Sequence, residues 1–457
     1  MRSRLFTRIL SLPTTIACSI SLAFGCGAPQ TVAVTPPQPL DEIVQFRPAP
    51  DIDAPAVDSA ELTLDQLLTF ADAHAPAVLA ARAQTRVADA ELVGAQIRVP
   101  ENPEVTVAGG GRSVGGHTGF EFEVAVEQRL EVFREPTFRL AEAEAQRALA
   151  EAVVDEVRWA VHVEVHRLFV DLLVIEERRQ QAAGFVEFAE SLLLIAERQV
   201  EAGEAAPLIL LVARADVEQA REAQISANET DAALRSRLAA VAGWPGAIPE
   251  LVGTVPEVVR APGLDGLTET MLVRHPTLRR HDAAIAAARA NLALQDREAR
   301  PEPLVGLSYG REAAPGPEPE ANVWMFSVGV PLPIWRTNQA GRARAEAELD
   351  AAGTDLSAAE RTLRGELEQA VIALDAAADR VALYESGVVP NLEANLELLR
   401  RAYELGEVDI HVLSQTRERL LEATAAFVDA RIVYFESVAV LEGLVGDDPW
   451  LNDGSGQ

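Results

Sequence analysis

Three sets of side chains in this 457-residue chain have the type and spacing to do chemistry. His162 and His166 stand four apart with Glu164 between them. On a helix both imidazoles share a face and could hold a metal ion. The spacing differs from the adjacent His-Glu of zinc hydrolases, and no third ligand is identifiable, so two histidines at a helix surface or interface are the stronger reading. Glu121, Glu123 and Glu127 alternate with Phe120, Phe122, Val124 and Val126. On a strand that pattern separates a carboxylate row, attractive to cations, from an apolar one. Cys26 is a thiol that export could lipidate. The run Gly109 to Gly116 lies between two strands, so it reads as a hairpin loop and not as a phosphate cradle. No catalytic residue, metal site or cofactor is assigned, and the chain is not read as an enzyme.

These residues need elements to position them, and the N-terminus is set aside first. Arg2, Arg4 and Arg8 precede a short apolar run from Ile16 to Phe24, closed by Ala23-Phe24-Gly25-Cys26. This resembles a bacterial lipoprotein signal over residues 1–25, with Cys26 as the acylated new N-terminus. A plain secretory signal with an incidental Cys is the other reading. Cys18 lies inside the apolar run and would leave too short a core. With both cysteines in this segment, the mature chain has at most one and forms no internal disulfide. Residues 26–60 are rich in Pro and Ala and read as an extended tether.

The formal net charge of -30 argues against nucleic acid as a partner and suits a surface or channel lining that meets cations. No stretch beyond the signal approaches the roughly 20 apolar residues of a membrane-spanning helix.

The remaining sequence is written twice. Pro76, Ala88, Ala90, Leu92, Pro103, Val105 and Gly110 recur 200 positions later as Pro276, Ala288, Ala290, Leu292, Pro303, Val305 and Gly310. Past the hairpins the offset slips to 204, so that Val124 and Val126 answer to Val328 and Val330, and Ala141 to Ala345. It is 203 at Gly203 and Gly406 and at Leu238 and Leu441. Ordered anchors that include Pro and Gly indicate duplication. The repeats are placed at 61–250 and 251–446, with a tail at 447–457.

Each repeat holds one long helical pattern, Pro136 to Gly203 and Trp335 to Gly406, of about 100 Å at 1.5 Å per residue. Four shorter patterns, about Leu64 to Val99, Leu208 to Ala242, Leu267 to Ala299 and Ile410 to Val445, have half that length. Helices this long must pack laterally along their whole extent. The strand beginning at Phe120 pairs with one holding Val105 and Val107, and residues from Gly109 through Gly119 are expected to turn. In the second repeat Val305, Leu307 and Tyr309 face Trp324, Phe326, Val328 and Val330 across a Pro/Gly/Glu-rich loop. Apolar-out, polar-in strands of this length are the signature of a membrane barrel. A soluble core could half-bury such strands, but rods of this length leave none to cover them. Four strands cannot close a barrel, so other chains must complete it.

The order helix, hairpin, long helix, glycine tip and return helix, given twice over about Leu62 to Val445, resembles the TolC family of outer-membrane factors, in particular its lipoprotein and heavy-metal-efflux branches. The tips carry the most specific likeness: Tyr403-x-x-Gly406-x-x-Asp409-x-x-x-Leu413, and Val200-x-x-Gly203-x-x-Ala206 in the first repeat. The resemblance implies a mainly α protomer with a small β part, three copies forming a twelve-stranded outer-membrane β-barrel above a periplasmic α-barrel. It also implies that Gly203, Ala206, Gly406 and Asp409 mark tips docking on a periplasmic adaptor, itself joined to an inner-membrane pump. Read directly, Gly ends one helix with a positive φ, Asp409 caps the next, and Pro207 opens the return helix of the first tip. Some relatives carry acidic residues six and nine places beyond the tip glycine. Val412 and Gln415 stand there, so that gate is not carried over, and Glu404, Glu407 and Asp409 are the available substitutes.

The function expected is passive conduction, out of the cell, of a substrate delivered by pump and adaptor, with Glu121, Glu123 and Glu127 lining the lumen. A type I secretion duct and a pore-less periplasmic coiled-coil scaffold are the alternatives. The sequence leaves the cargo open between metal cation, drug and polypeptide.

Overall fold

The computed structural model describes residues 61–99, 101–114, 117–203, 206–312, 321–405 and 407–447, all within one unit, Asp53–Gln457. Cys26, the signal and the tether lie outside the described residues. So do Gly406 and Glu404's side chain.

Each repeat opens with a short strand and a proline-broken helix. β1 (Glu61–Leu62) pairs in parallel with β4 (Glu250–Leu251). α1 (Leu64–His74) and α2 (Pro76–Ala95) meet at Ala75, and α5 (Leu264–Arg274) and α6 (Pro276–Glu298) meet at His275. The sequence pattern ran each pair together as one helix. Proline displaces its predecessor from helical ψ, to 129° at Ala75 and 122° at His275, and then serves as the first residue of the next helix. Thr63 caps α1 with a reciprocal Gln66 bond, a capping box.

The hairpins are β2 (Glu104–Val114) with β3 (His117–Arg129), and β5 (Leu304–Glu312) with β6 (Ala321–Gly329). They join as one antiparallel sheet ordered β2-β3-β5-β6. The expected turn at Gly109 to Gly119 is corrected: both strands continue through most of it, and the glycines sit in register opposite Phe120, Glu121 and Phe122. A side chain on Gly109 would stand 3.3 Å from the Phe120 ring, so small residues here make room for neighbours instead of bending the chain.

From the sheet descend α3 (Glu135–Glu201) and α4 (Leu208–Ala242) in the first repeat. The second has α7 (Gln339–Leu383), a π turn at Tyr384–Val388, α8 (Val389–Glu404) and α9 (Ile410–Val445). α3 is one unbroken helix of 67 residues, about 100 Å long. The expected second rod starts at Gln339 instead of Trp335 and is interrupted. Pro390, inside it, has no N–H to give and crowds the carbonyl four residues back, and the wider π turn just ahead absorbs the mismatch. Arg134 and Asn338, at φ 70° and 56°, turn the chain from strand into rod at matching places in the two repeats. α4 and α9 end on Gly243 and Gly446, both at φ 73°. A β-carbon there would press into backbone at His74 and at His275 respectively, so glycine is needed for approach as well as for φ.

The core is a continuous stripe between helices and not a globule. Leu367, Leu374 and Val381 of α7 pack with Val428, Tyr434 and Leu441 of α9 and with Val170 and Val174 of α3. None of the described helices is long and apolar enough to cross a membrane.

Candidate functional site

The sheet has two chemically distinct faces, fixed by its register. One carries the rows Val105–Val126–Leu307–Phe326 and Val107–Val124–Tyr309–Trp324. Its outer members are open, with Val107 72 % and Phe326 73 % exposed. Phe122, Tyr309 and Trp324 follow one another across this face, Phe122 edge-on to Tyr309 and Tyr309 tilted against Trp324, with centroids 6.0 and 4.6 Å apart. The other face carries Glu104–Glu127–Gly306–Ser327, Thr106–Ala125–Ser308–Met325 and Ala108–Glu123–Gly310–Val323. Glu121 lies on it as well, opposite Gly110 and 3.9 Å from Arg112. The three glutamates are thus brought together on the face of small and polar residues. A side chain at Gly306 would collide with the Ser327 hydroxyl and approach Glu127, so glycine leaves that carboxylate its space. Among the described residues the outermost strands, β2 and β6, have no strand partner on their outer edges.

At the far end of the rods the two tips share one apolar cluster of Leu192, Ala196, Ala213, Tyr403 and Leu413. Tyr403 donates to Gln199 at 2.9 Å, and burial pushes its hydroxyl above the ordinary range. Gly203 has φ 75° and open space where a side chain would stand. Ala206 is exposed. Asp409 caps α9 by accepting from the His411 amide at 3.0 Å, while Pro207 precedes α4 without a side-chain cap. Of the tip motif, Tyr403 and Leu413 are therefore anchors and Asp409 is a cap. Gly406 lies outside the described residues.

Between the ends, charges are buried that sequence reasoning did not find. Arg417 is 1 % exposed, donates to the Asp216 carbonyl at 3.0 Å and faces its carboxylate at 3.8 Å, where Ser414 also donates. Burial pulls its guanidinium below the ordinary value. The signal was an Arg in line with Leu413, Leu420 and Thr424 on the inward face of α9. Asp171 accepts from Arg167 at 2.8 Å, yet burial and the nearby Glu436 and Glu164 push its carboxyl up to about 7. The histidine pair lies at a helix interface: His166 is buried and bonds the wholly buried Glu442 of α9 at 3.0 Å. His162 stands 3.5 Å from the same carboxylate and stacks on Trp159. Glu442 is the third acidic or basic partner that sequence could not supply, because it lies 276 residues away. The three form a polar contact between α3 and α9. Among the described residues no group of three or more His, Cys, Asp or Glu is arranged to hold a metal ion.

Comparison with known proteins agrees with this geometry. The sequence matches the family described as outer membrane efflux protein over residues 67–243 and again over 267–447. It is 24% identical to the cobalt-zinc-cadmium resistance protein CzcC of Cupriavidus metallidurans over 312 residues, covering 67% of this chain and 73% of that one. The fold superposes on the channel protein CusC with a TM-score of 0.68 at 16% identity, covering 84% of this chain and 92% of that one. For a membrane protein of Pseudomonas aeruginosa the values are 0.69, 18%, 84% and 90%. Two matched segments span most of the sequence, each containing a hairpin, a rod and a tip: this chain belongs to the outer membrane efflux protein family, whose members are the outer-membrane channel components of efflux systems.

Proposed function

We propose that three copies of this chain close a twelve-stranded barrel in the outer membrane and conduct divalent metal cations out of the cell, received through a periplasmic adaptor from an inner-membrane pump. The observation that carries the cation reading is the glutamate row, Glu121, Glu123 and Glu127, held on the polar face of a sheet whose other face is apolar and open. Three copies of that row give a ring of negative potential that concentrates cations. The resemblance to a protein named for cobalt, zinc and cadmium resistance points to the same cargo class. Polar edges at β2 and β6 are not tolerated in lipid, which favours closure by further copies. The tips Gly203, Ala206, Gly406 and Asp409 meet the adaptor, and acylated Cys26 anchors the mature N-terminus beside the barrel. Gly27 there lacks the acidic side chain that some bacteria use for inner-membrane retention.

The test is the reversal potential of the purified channel in a planar bilayer under a zinc chloride gradient. Cation preference is expected, and replacing all three glutamates by Gln should move the potential toward zero without changing trimer yield. A channel whose preference is unmoved by the triple substitution would remove these residues from the lumen.

A further inference from the structure

Among the described strand residues the apolar face of the sheet carries a single charged side chain, Arg311. Every other member of that face, from Val105 on β2 to Val328 on β6, is apolar, Gly or an uncharged polar residue. A cation turned toward lipid is costly near the middle of a bilayer and tolerated at its margin, where its long stem lets the charge reach a phosphate. Arg311 stands at such a margin. β5 ends at the next residue, Glu312, and one rung below it Tyr309 faces Trp324, the two ring types that settle at headgroup level. β3 runs on through Phe120 to Thr118, so Phe122, opposite Arg311, still has an aromatic side chain beyond it.

A second donor lies beside the first. Asn322 of β6 is directly opposite Arg311, and its Oδ1 accepts from the Tyr309 hydroxyl at 3.1 Å. That bond occupies the carbonyl side of the amide and leaves its N–H side to donate. Arg311 and Asn322 are both exposed. β5 is flanked by β3 and β6 of its own chain, so closure of a barrel at the outer edges of β2 and β6 leaves this pair open to lipid.

Resting on the barrel reading above, we propose that Arg311 and Asn322 hold a phosphate of the phosphorylated glycolipid that forms the outer leaflet of the outer membrane. The guanidinium supplies charge and a planar fork of donors matched to phosphate, and the amide adds a further donor. The leaflet follows from direction. The rods α3 and α7 leave the sheet after Arg129 and Gly329, at the opposite end of the strands, and on the barrel reading they lie in the periplasm. The acyl chains of the same lipid run down over Trp324 and Phe326, 68 % and 73 % exposed, a surface with which free phosphate makes no contact. The first repeat has no such arginine: at the 200 offset Arg311 answers to Gly111, which gives one site per chain.

The test is native mass spectrometry of the full-length protein in mild detergent, with diphosphoryl lipid A, phosphatidylglycerol or inorganic phosphate added in turn. The unaltered trimer should retain lipid A in preference to the other two. Arg311→Ala should weaken that retention about tenfold or more, Asn322→Ala should weaken it less, and Arg311→Lys should keep part of it because the charge remains without the fork. Trimer mass should be the same in all three variants. Retention of lipid A by the Arg311→Ala trimer at the unaltered level would overturn the site. Phosphatidylglycerol or inorganic phosphate held as tightly as lipid A by the unaltered trimer would overturn the glycolipid as its occupant. A protein that is monomeric without detergent would overturn this inference together with the barrel reading beneath it.

Discussion

The strand end and the tip end of this protein terminate the same helices in opposite ways. At the strand end the sheet has, among the described residues, two edges without a strand partner, and its apolar rows are open. At the tips the means are local: Gly203 ends the first rod at positive φ, Asp409 caps α9, and one apolar cluster is shared by α3, α4, α8 and α9. On the proposed trimer, membrane insertion depends on assembly, whereas tip geometry is set by the fold of one protomer. Substitutions at the two ends should therefore separate insertion from docking.

The largest effect is expected from Phe122→Lys, which places a charge on the apolar face at a cost of about 2–4 kcal/mol near the bilayer midplane. Outer-membrane fractions should lose the protein, and recovery of normal amounts there would reverse the assignment of faces. Gly203→Val comes next. Open space surrounds the position, so the cost is backbone strain alone, about 1–2 kcal/mol for a side chain at positive φ. Trimer yield should be kept while capture of adaptor by the purified channel falls; unchanged capture would take the first tip out of the docking surface. Asp409→Ala removes a cap worth about 1 kcal/mol, and amide exchange in the first turn of α9 should accelerate with the barrel unaffected.

The smallest effect belongs to Asp171, between the ends. Its folded carboxyl, at about 7, keeps a proton that the unfolded chain releases near 3.8. Folding therefore takes up a proton between those values, and stability falls as pH rises through that window, levelling off above it. Between pH 6 and 8 the loss is about 1 kcal/mol. Asp171→Asn should flatten the dependence of the thermal midpoint on pH, and an unchanged slope would place the titrating group elsewhere.

Much of this was legible in sequence because it is local. Period-two alternation at Phe120 to Glu127 set the two faces, and Gly203 and Asp409 announced a helix end and a cap by their own backbone chemistry, whereas the breaks at Pro76 and Pro276 were read through as continuous helix. The glycines at 109 to 111 misled, since a strand that packs beside large side chains uses the same residue as a turn. The π turn was obscured because Pro390 alone does not reveal whether a helix ends or bulges. Arg417 with Asp216, and His166 with Glu442, escaped because each pair joins helices far apart in sequence, and only the folded repeats bring them together.

The most direct test of the channel account uses Glu123→Cys in planar bilayers, with a negatively charged methanethiosulfonate reagent added to open channels. The account predicts stepwise conductance and its change upon modification, accompanied by altered cation preference, while Phe326→Cys on the lipid face stays silent to the same reagent. Conductance that responds at Phe326→Cys and not at Glu123→Cys, or a purified trimer that conducts nothing, would contradict it.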